Sequence, residues 1–182
     1  MERTEGELKK KRFGEIVKQA VNNNWHITMI SEITVTSDGI KCYHYQKEER
    51  YLIHSTKTGV MVLLLWCCNG KKKCTLDRLT AVFLPGLTVI SIYYPDFGCP
   101  EYESITDGIR YNLERILQNS QTPNIIGGDI NAQMGRQNGV DGRHVGRFEL
   151  PQTNTQGEDI LNWITENDLA WVNSFYEKQR GT

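Results

Sequence analysis

Three apolar runs crowd the middle of the chain: GVMVLLLW (59–66), LDRLTAVFL (76–84) and LTVISIYY (87–94). Each is rich in β-branched and aliphatic residues and too short for an ordinary globular helix, so each reads as a strand. Asn69-Gly70 followed by Lys71 to Lys73 has the chemistry of a hairpin tip, and Pro85-Gly86 that of a tight turn. Strands joined this tightly run antiparallel, because a parallel neighbour needs a crossover of a dozen or more residues. An antiparallel meander over 59–94 is the expectation from which the rest of the fold is read. Its longest apolar stretch, Val60 to Cys68, is too short to span a bilayer as a helix.

The flanks supply helices. Residues 5–23 carry Phe13, Ile16, Val17, Ala20 and Val21 on one face and Lys9 to Arg12 on the other, the pattern of an amphipathic helix. HITMISEI (26–33) reads as a buried strand and Ser37-Asp38-Gly39 as a turn. IKCYHY (40–45) reads as a strand, and the KEER run after it as a loop or edge. Residues 101–119 place Ile105, Ile109, Leu113, Ile116 and Leu117 on one helical stripe, and NIIGGDI (124–130) is a short strand. A Gly/Arg-rich loop covers 134–153. Thr155 and Glu158 have capping-box spacing for a helix to about Asn167, and LAWVN (169–173) reads as a last strand. The expectation is one layered domain of mixed α/β class over 1–182, long enough to bury its own core.

Charge is balanced, 21 Lys and Arg against 22 Asp and Glu, so any surface for a polyanion must be local. The basic runs Lys9 to Arg12 and Lys71 to Lys73 read as a wet helix face and a solubilising hairpin tip. The five cysteines are odd in number and follow no apolar leader, which fits reduced thiols in an intracellular protein, nuclear or cytoplasmic, rather than a secreted one. Cys67, Cys68, Cys74 and His54 could be drawn as a zinc site. They contain no CxxC pair, and buried strand thiols are the better reading.

Gly127-Gly128-Asp129-Ile130-Asn131 is the segment with the most chemistry. An apolar strand delivers Asp129 and Asn131 to its C-terminal end, where ligands of α/β sheets usually bind. In extended chain, residues two apart share a side, so carboxylate and amide could converge on one target. A carboxylate can hold a hard cation or orient a water, and an amide can bond a phosphate oxygen. The same letters also suit a plain turn, and the motif alone leaves the two readings even. Glu32 ends the buried run Ile27 to Ile30, and Tyr93-Tyr94-Pro95 ends another apolar strand. Each alone is an ordinary strand end.

Taken in order, strand–Glu32, strand–Tyr93, helix, strand–Asp129-x-Asn131 resembles the endonuclease/exonuclease/phosphatase (DNase I-like) superfamily. The likeness is nearest to the apurinic-like endonuclease domain of LINE-type (non-LTR) retrotransposons. It is carried by MISEI, KTGVMVLL, LDRLTAVFL, ISIYYPD, GGDINAQMG and NTQGEDILNWITENDLAWVNSFY, covering the chain from about residue 8. The resemblance implies a four-layer α-β-β-α sandwich and a DNA-nicking, metal-dependent phosphodiesterase. It implies Mg2+ or Mn2+ on Glu32, a water oriented by Asp129, and a phosphate bonded by Asn131. Tyr93 would meet the phosphate or leaving oxygen. Ser91 stands where the family usually has Asn, and is expected to keep a weaker substrate contact. Arg143, in the loop after the motif with Arg136, His144 and Arg147, is expected near the nucleic-acid backbone, with His144 at the surface.

The family pattern also implies a first strand ahead of residue 8 and closing strands with an Asp-His pair. None of His26, His44, His54 and His144 stands in a Ser-Asp-His context. The chain is therefore expected to be incomplete at both ends, inactive by itself, and prone to aggregate through uncovered sheet. The implied partners are DNA or RNA and a reverse transcriptase domain in a longer polypeptide, with the domain itself a monomer and no membrane involved. A remnant that binds without catalysing, and a superfamily phosphatase or exonuclease, are the alternatives.

Overall fold

The computed structural model describes residues 14–16, 18–20, 22–23, 25–31, 39–45, 48–54, 61–64, 72–76, 78–135, 142–148 and 152–177, with backbone alone over 39–75. The chain divides into two compact units: Met1–Pro95 with Pro100–Ile130, and Asp96–Cys99 with Asn131–Thr182.

The first unit holds two four-stranded sheets. β1 (Ile27–Ile30), β2 (Gly39–Tyr45), β3 (Glu48–His54) and β4 (Met61–Leu64) form one, in the order β1-β4-β3-β2, all antiparallel. β5 (Lys72–Leu76), β6 (Leu79–Leu84), β7 (Leu87–Tyr93) and β8 (Asn124–Asp129) form the other, in chain order. Within it β5, β6 and β7 are antiparallel, and β8 joins β7 in parallel.

A meander is thus present, but it is β5-β6-β7. The run at 59–66 belongs to the other sheet, where β4 pairs with β1 and β3 rather than with β6. The expected hairpin tip at Asn69-Gly70 lies outside the described residues. The turn before β6 contains Arg78, at a φ of 58°. Within the KEER run Glu48 to Arg50 are strand rather than loop: they open β3, which pairs with β2 along its whole length.

The β6–β7 turn follows its sequence. Pro85 sets the first turn residue and Gly86 takes φ 80°, as a type II turn requires. Along these strands the side chains alternate, and both faces of the second sheet are buried. Val82 and Val89 pack with Ile27, Met29, Leu84 and Leu87 on the face toward the first sheet. On the opposite face Leu79, Ala81, Ile90 and Ile92 are also buried.

Helix α1 (Tyr102–Asn119) makes the crossover from β7 to β8 and buries Thr106, Ile109, Leu113 and Ile116 at helical spacing. Each of those aliphatic side chains contributes roughly 1.5–3 kcal/mol when fully buried. The helix stops at Ser120, whose backbone turns extended. The Thr88 hydroxyl lies 3.2 Å from that of Ser120 and 3.0 Å from that of Thr122, and the Thr88 N–H donates to Pro123 O at 2.9 Å. These bonds seat the start of β8 beside the start of β7. The N-terminal helix predicted over 5–23 is helical at 14–16, 18–20 and 22, with Ala20 buried; residues 1–13 lie outside the described part.

The second unit is built on helix α2 (Thr155–Glu166), which buries Ile160, Leu161, Trp163 and Ile164. Its cap is Asn154 rather than Thr155. The Asn154 side-chain oxygen accepts from Gly157 N at 2.9 Å and from Gln133 N at 3.0 Å, so the Thr155–Glu158 capping box does not form. The helix closes with Asp168 N–H donating to Thr165 O and Leu169 N–H to Ile164 O, with Asp168 at φ 51°. This is a Schellman ending with Asp in the position glycine usually takes. Residues 169–173 are not a strand. Trp171 makes one parallel bridge with Val145, and Val172–Phe175 is a 3-10 turn. No helix among the described residues is long and apolar enough to cross a membrane.

Candidate active site

β7 and β8 end side by side. Their register pairs Ser91 with Gly127, Ile92 with Gly128 and Tyr93 with Asp129. Opposed residues of a parallel pair share a face, so Tyr93 and Asp129 emerge together at the C-terminal edge of the sheet. The ladder continues one step further, with Tyr94 N–H donating to Asp129 O at 2.9 Å. Tyr94 and Pro95 are buried, while Tyr93 and Asp129 are half-buried, open enough to meet a ligand and held by their backbones.

The face carrying this pair changes character in steps. Val82 and Val89 form the apolar row, and Thr80, Ser91 and Gly127 the next, by strand register. Thr80 and Ser91 are fully buried, and their hydroxyls have no hydrogen-bond partner among the described residues. Ser91 therefore offers no surface to a ligand, and the substrate contact expected of it gives way to a buried position two residues behind Tyr93.

The two glycines have different reasons. A Cβ on Gly127 would lie 2.6 Å from Met29 Cε, so Met29 of the first sheet packs into the space that glycine leaves. Gly128 has φ 142°, and a Cβ there would lie 1.9 Å from the Ile92 carbonyl oxygen. Both serve close packing within the protein.

Asn131 follows Asp129 by two residues but is not in extended chain. β8 ends at Asp129, and Asn131 has φ 45°, the left-handed region that Asn tolerates better than most residues. Strand alternation therefore does not set its side-chain direction, and the turn reading of these letters is correct for its backbone.

Glu32, the expected metal ligand, lies outside the described residues, as do Arg136 and the side chains of Cys42, Cys67, Cys68, Cys74 and His54. Among the described residues no three His, Cys, Asp or Glu side chains gather as a metal cluster. Arg143 is exposed in the second unit, and the Arg147 guanidinium lies over the Phe148 ring at 4.7 Å.

His144 is not at the surface. It is 5 % exposed, its Nδ1 is 2.7 Å from Leu169 O, and its Nε2 is 3.9 Å from an Asp168 carboxylate oxygen. The Trp171 N–H donates to His144 O at 2.8 Å, so the loop is stitched to the segment after α2. Arg78 entered the sequence reading only as part of the LDRLTAVFL match and was given no role there. Its guanidinium lies over the Tyr93 ring, 5.1 Å from the centroid. A polar residue just ahead of a strand carries no signal of its own.

No protein-family model matches the sequence, and no curated protein matches it. Solved structures do match. The chain is similar to an AP endonuclease from Archaeoglobus fulgidus, with a TM-score of 0.55 and 13% identity over 86% of this chain and 66% of that one. It is similar also to the 3′ phosphatase NExo from Neisseria bound to product DNA hairpin, with a TM-score of 0.54 and 12% identity over 85% of this chain and 65% of that one. The chain thus spans just under two thirds of either protein's length. At these identities the likeness is one of fold: a mixed α/β fold of the DNase I-like kind.

Proposed function

We propose that the chain is a divalent-metal-dependent phosphodiester hydrolase domain that nicks DNA, of the retrotransposon endonuclease type, with the four-layer sandwich of that family. The single observation that carries the hydrolase reading is the in-register pair Tyr93 and Asp129 at one end of the second sheet. The fold shared with an AP endonuclease and a DNA-bound 3′ phosphatase supports the substrate class. The retrotransposon type and a linked reverse transcriptase rest on the sequence resemblance.

Hydrolysis of a phosphodiester needs an aligned water, neutralised charge on the phosphoryl oxygens and a stabilised leaving oxygen. Asp129 orients the water and takes its proton. Asn131 donates its amide N–H to a phosphoryl oxygen, and the Tyr93 O–H donates to the phosphate or the leaving oxygen. Oxygen donors suit a hard cation, so Glu32 fits Mg2+ or Mn2+, which would supply positive charge at the phosphate. The exposed Arg143 is suited to a backbone phosphate.

The test is nicking of supercoiled plasmid in magnesium by a longer polypeptide that carries this domain and by its Asp129→Ala variant. Loss of nicking in the variant is expected; equal nicking by both would overturn the role of Asp129. Release of phosphate from a 3′-phosphorylated oligonucleotide without nicking would select the phosphatase reading, which the likeness to NExo favours.

A further inference from the structure

Arg78 joins the end of the second sheet through three separate features. Its backbone is in the left-handed region at φ 58°, a conformation that costs an arginine energy and persists only where the surroundings impose it. Its carbonyl accepts from Tyr93 N at 3.0 Å, extending the β6–β7 ladder by one rung beyond Leu79 and Ile92. Its guanidinium covers the Tyr93 ring at 5.1 Å. On the other side of Tyr93 stands Asp129, in register and tied by the Tyr94 N–H to Asp129 O bond. Arg78, Tyr93 and Asp129 thus form one transverse row across three neighbouring strands.

We infer that Arg78 is a positioning residue: it clamps the Tyr93 ring from the β6 side and so holds the phenol at a fixed distance from the Asp129 carboxylate. The inference rests on the proposed phosphodiesterase reading for its catalytic consequence, but not for its structural one. The clamp has two parts with different chemistry. The backbone bond fixes where the Tyr93 Cα lies, and any residue that can adopt φ 58° can supply it. The cation over the ring fixes the ring, and a planar guanidinium does so better than lysine, whose ammonium attracts the ring only as a strongly hydrated point charge. The left-handed backbone of Arg78 fits this division, because it comes at the turn that starts β6 beside the end of β7.

The experiment uses Arg78→Gln, Arg78→Lys and Arg78→Gly, with Tyr93→Phe to assign the ring. The structural readout is the NMR spectrum of the chain with ring-labelled tyrosine. Arg78→Gln and Arg78→Lys are expected to shift and average the Tyr93 ring signals while the other tyrosines stay put. Arg78→Gly keeps the left-handed turn without strain and is expected to fold while losing ring order, which separates the clamp from general unfolding. Unchanged Tyr93 signals in all three variants overturn the inference whether or not the chain cuts DNA. If the longer polypeptide cuts no DNA while the ring signals respond, the inference stands and the hydrolase reading fails.

The kinetic readout is kcat against KM for nicking by the longer polypeptide. Arg78→Gln is expected to lower kcat by roughly two- to fivefold, the rate equivalent of one partly exposed cation–π contact, with KM and the salt dependence of DNA binding unchanged. A fall in DNA affinity with a shallower salt slope and unaltered kcat would assign Arg78 to a phosphate contact and overturn the positioning role. In the Arg78→Gln, Tyr93→Phe double variant the two effects are expected not to add, since one acts through the other.

Discussion

Gly127 and Gly128 are neighbours on β8, yet the structure predicts opposite tolerance to the same small change. Alanine at 128 would place its Cβ 1.9 Å from the Ile92 carbonyl oxygen and 2.9 Å from its carbon, in a backbone at φ 142°. The obstacle is backbone of the adjacent strand, so no rotamer change relieves it. A glycine-only backbone region costs about 1–3 kcal/mol for another residue, and overpacking typically adds 1–3 kcal/mol. Gly128→Ala should therefore lose about 2–6 kcal/mol, a large part of the 5–15 kcal/mol typical of a whole domain. Alanine at 127 meets instead Met29 Cε at 2.6 Å and Sδ at 2.8 Å, the free end of a flexible side chain. Met29 can swing aside, and the expected cost is about 1 kcal/mol. Met29→Val removes both obstructing atoms, so Gly127→Ala should cost less in that background, and Gly128→Ala should cost the same. Urea unfolding followed by circular dichroism gives all the differences needed. The reasoning fails if Gly127→Ala costs as much as Gly128→Ala, or if shortening Met29 leaves the Gly127→Ala cost unchanged.

Two further predictions concern the second unit. Asn154→Ala removes the acceptor for both Gly157 N and Gln133 N and should lower stability by about 1–2 kcal/mol, whereas Asn154→Asp keeps both bonds and should match wild type; a shift in urea midpoint reads both. Asp168→Gly should stabilise by up to about 1 kcal/mol by relieving the left-handed ending of α2, because the exposed Asp168 carboxylate at 3.9 Å from His144 contributes little. A lowered midpoint would show that the contact with His144 outweighs the backbone gain.

Much of the second sheet was legible in the sequence because its signals are local. Leu87–Tyr93 and Asn124–Asp129 are apolar runs bounded by turn residues, and Tyr102–Asn119 keeps helical spacing through five aliphatic positions. What failed was pairing. Met61–Leu64 is plainly a strand, but nothing in its letters says which of two sheets it enters, and the Asn69-Gly70 signal pointed to the nearer partner. Glu48–His54 was missed because its first three residues are charged, and a strand can carry charge at the turn end where it leaves its hairpin partner, here at the Tyr45–Glu48 pair. In the candidate site the Tyr93–Asp129 pair followed from reading both as strand ends. Asn131 did not, since period-two reasoning stops where the strand stops. His144 was misplaced because a Gly/Arg-rich context says exposed, while a carbonyl from Leu169, 25 residues later, holds the ring inside. The LDRLTAVFL match gives Arg78 no role by itself; the register of β6 with β7 gives it a partner.

The parallel junction of β7 with β8 also sets a timetable. β6 and β7 can zip through their Pro85-Gly86 turn within microseconds, but Tyr93 and Asp129 are separated by all of α1. Their pairing must wait until that helix has formed and swung back, with the loop-closure entropy of the whole crossover still opposing it. During synthesis the meander can therefore exist well before the crossover closes. The two groups proposed to act together on a phosphate are then among the last neighbours to meet, so a chain caught early in folding would carry most of the sheet and none of the chemistry.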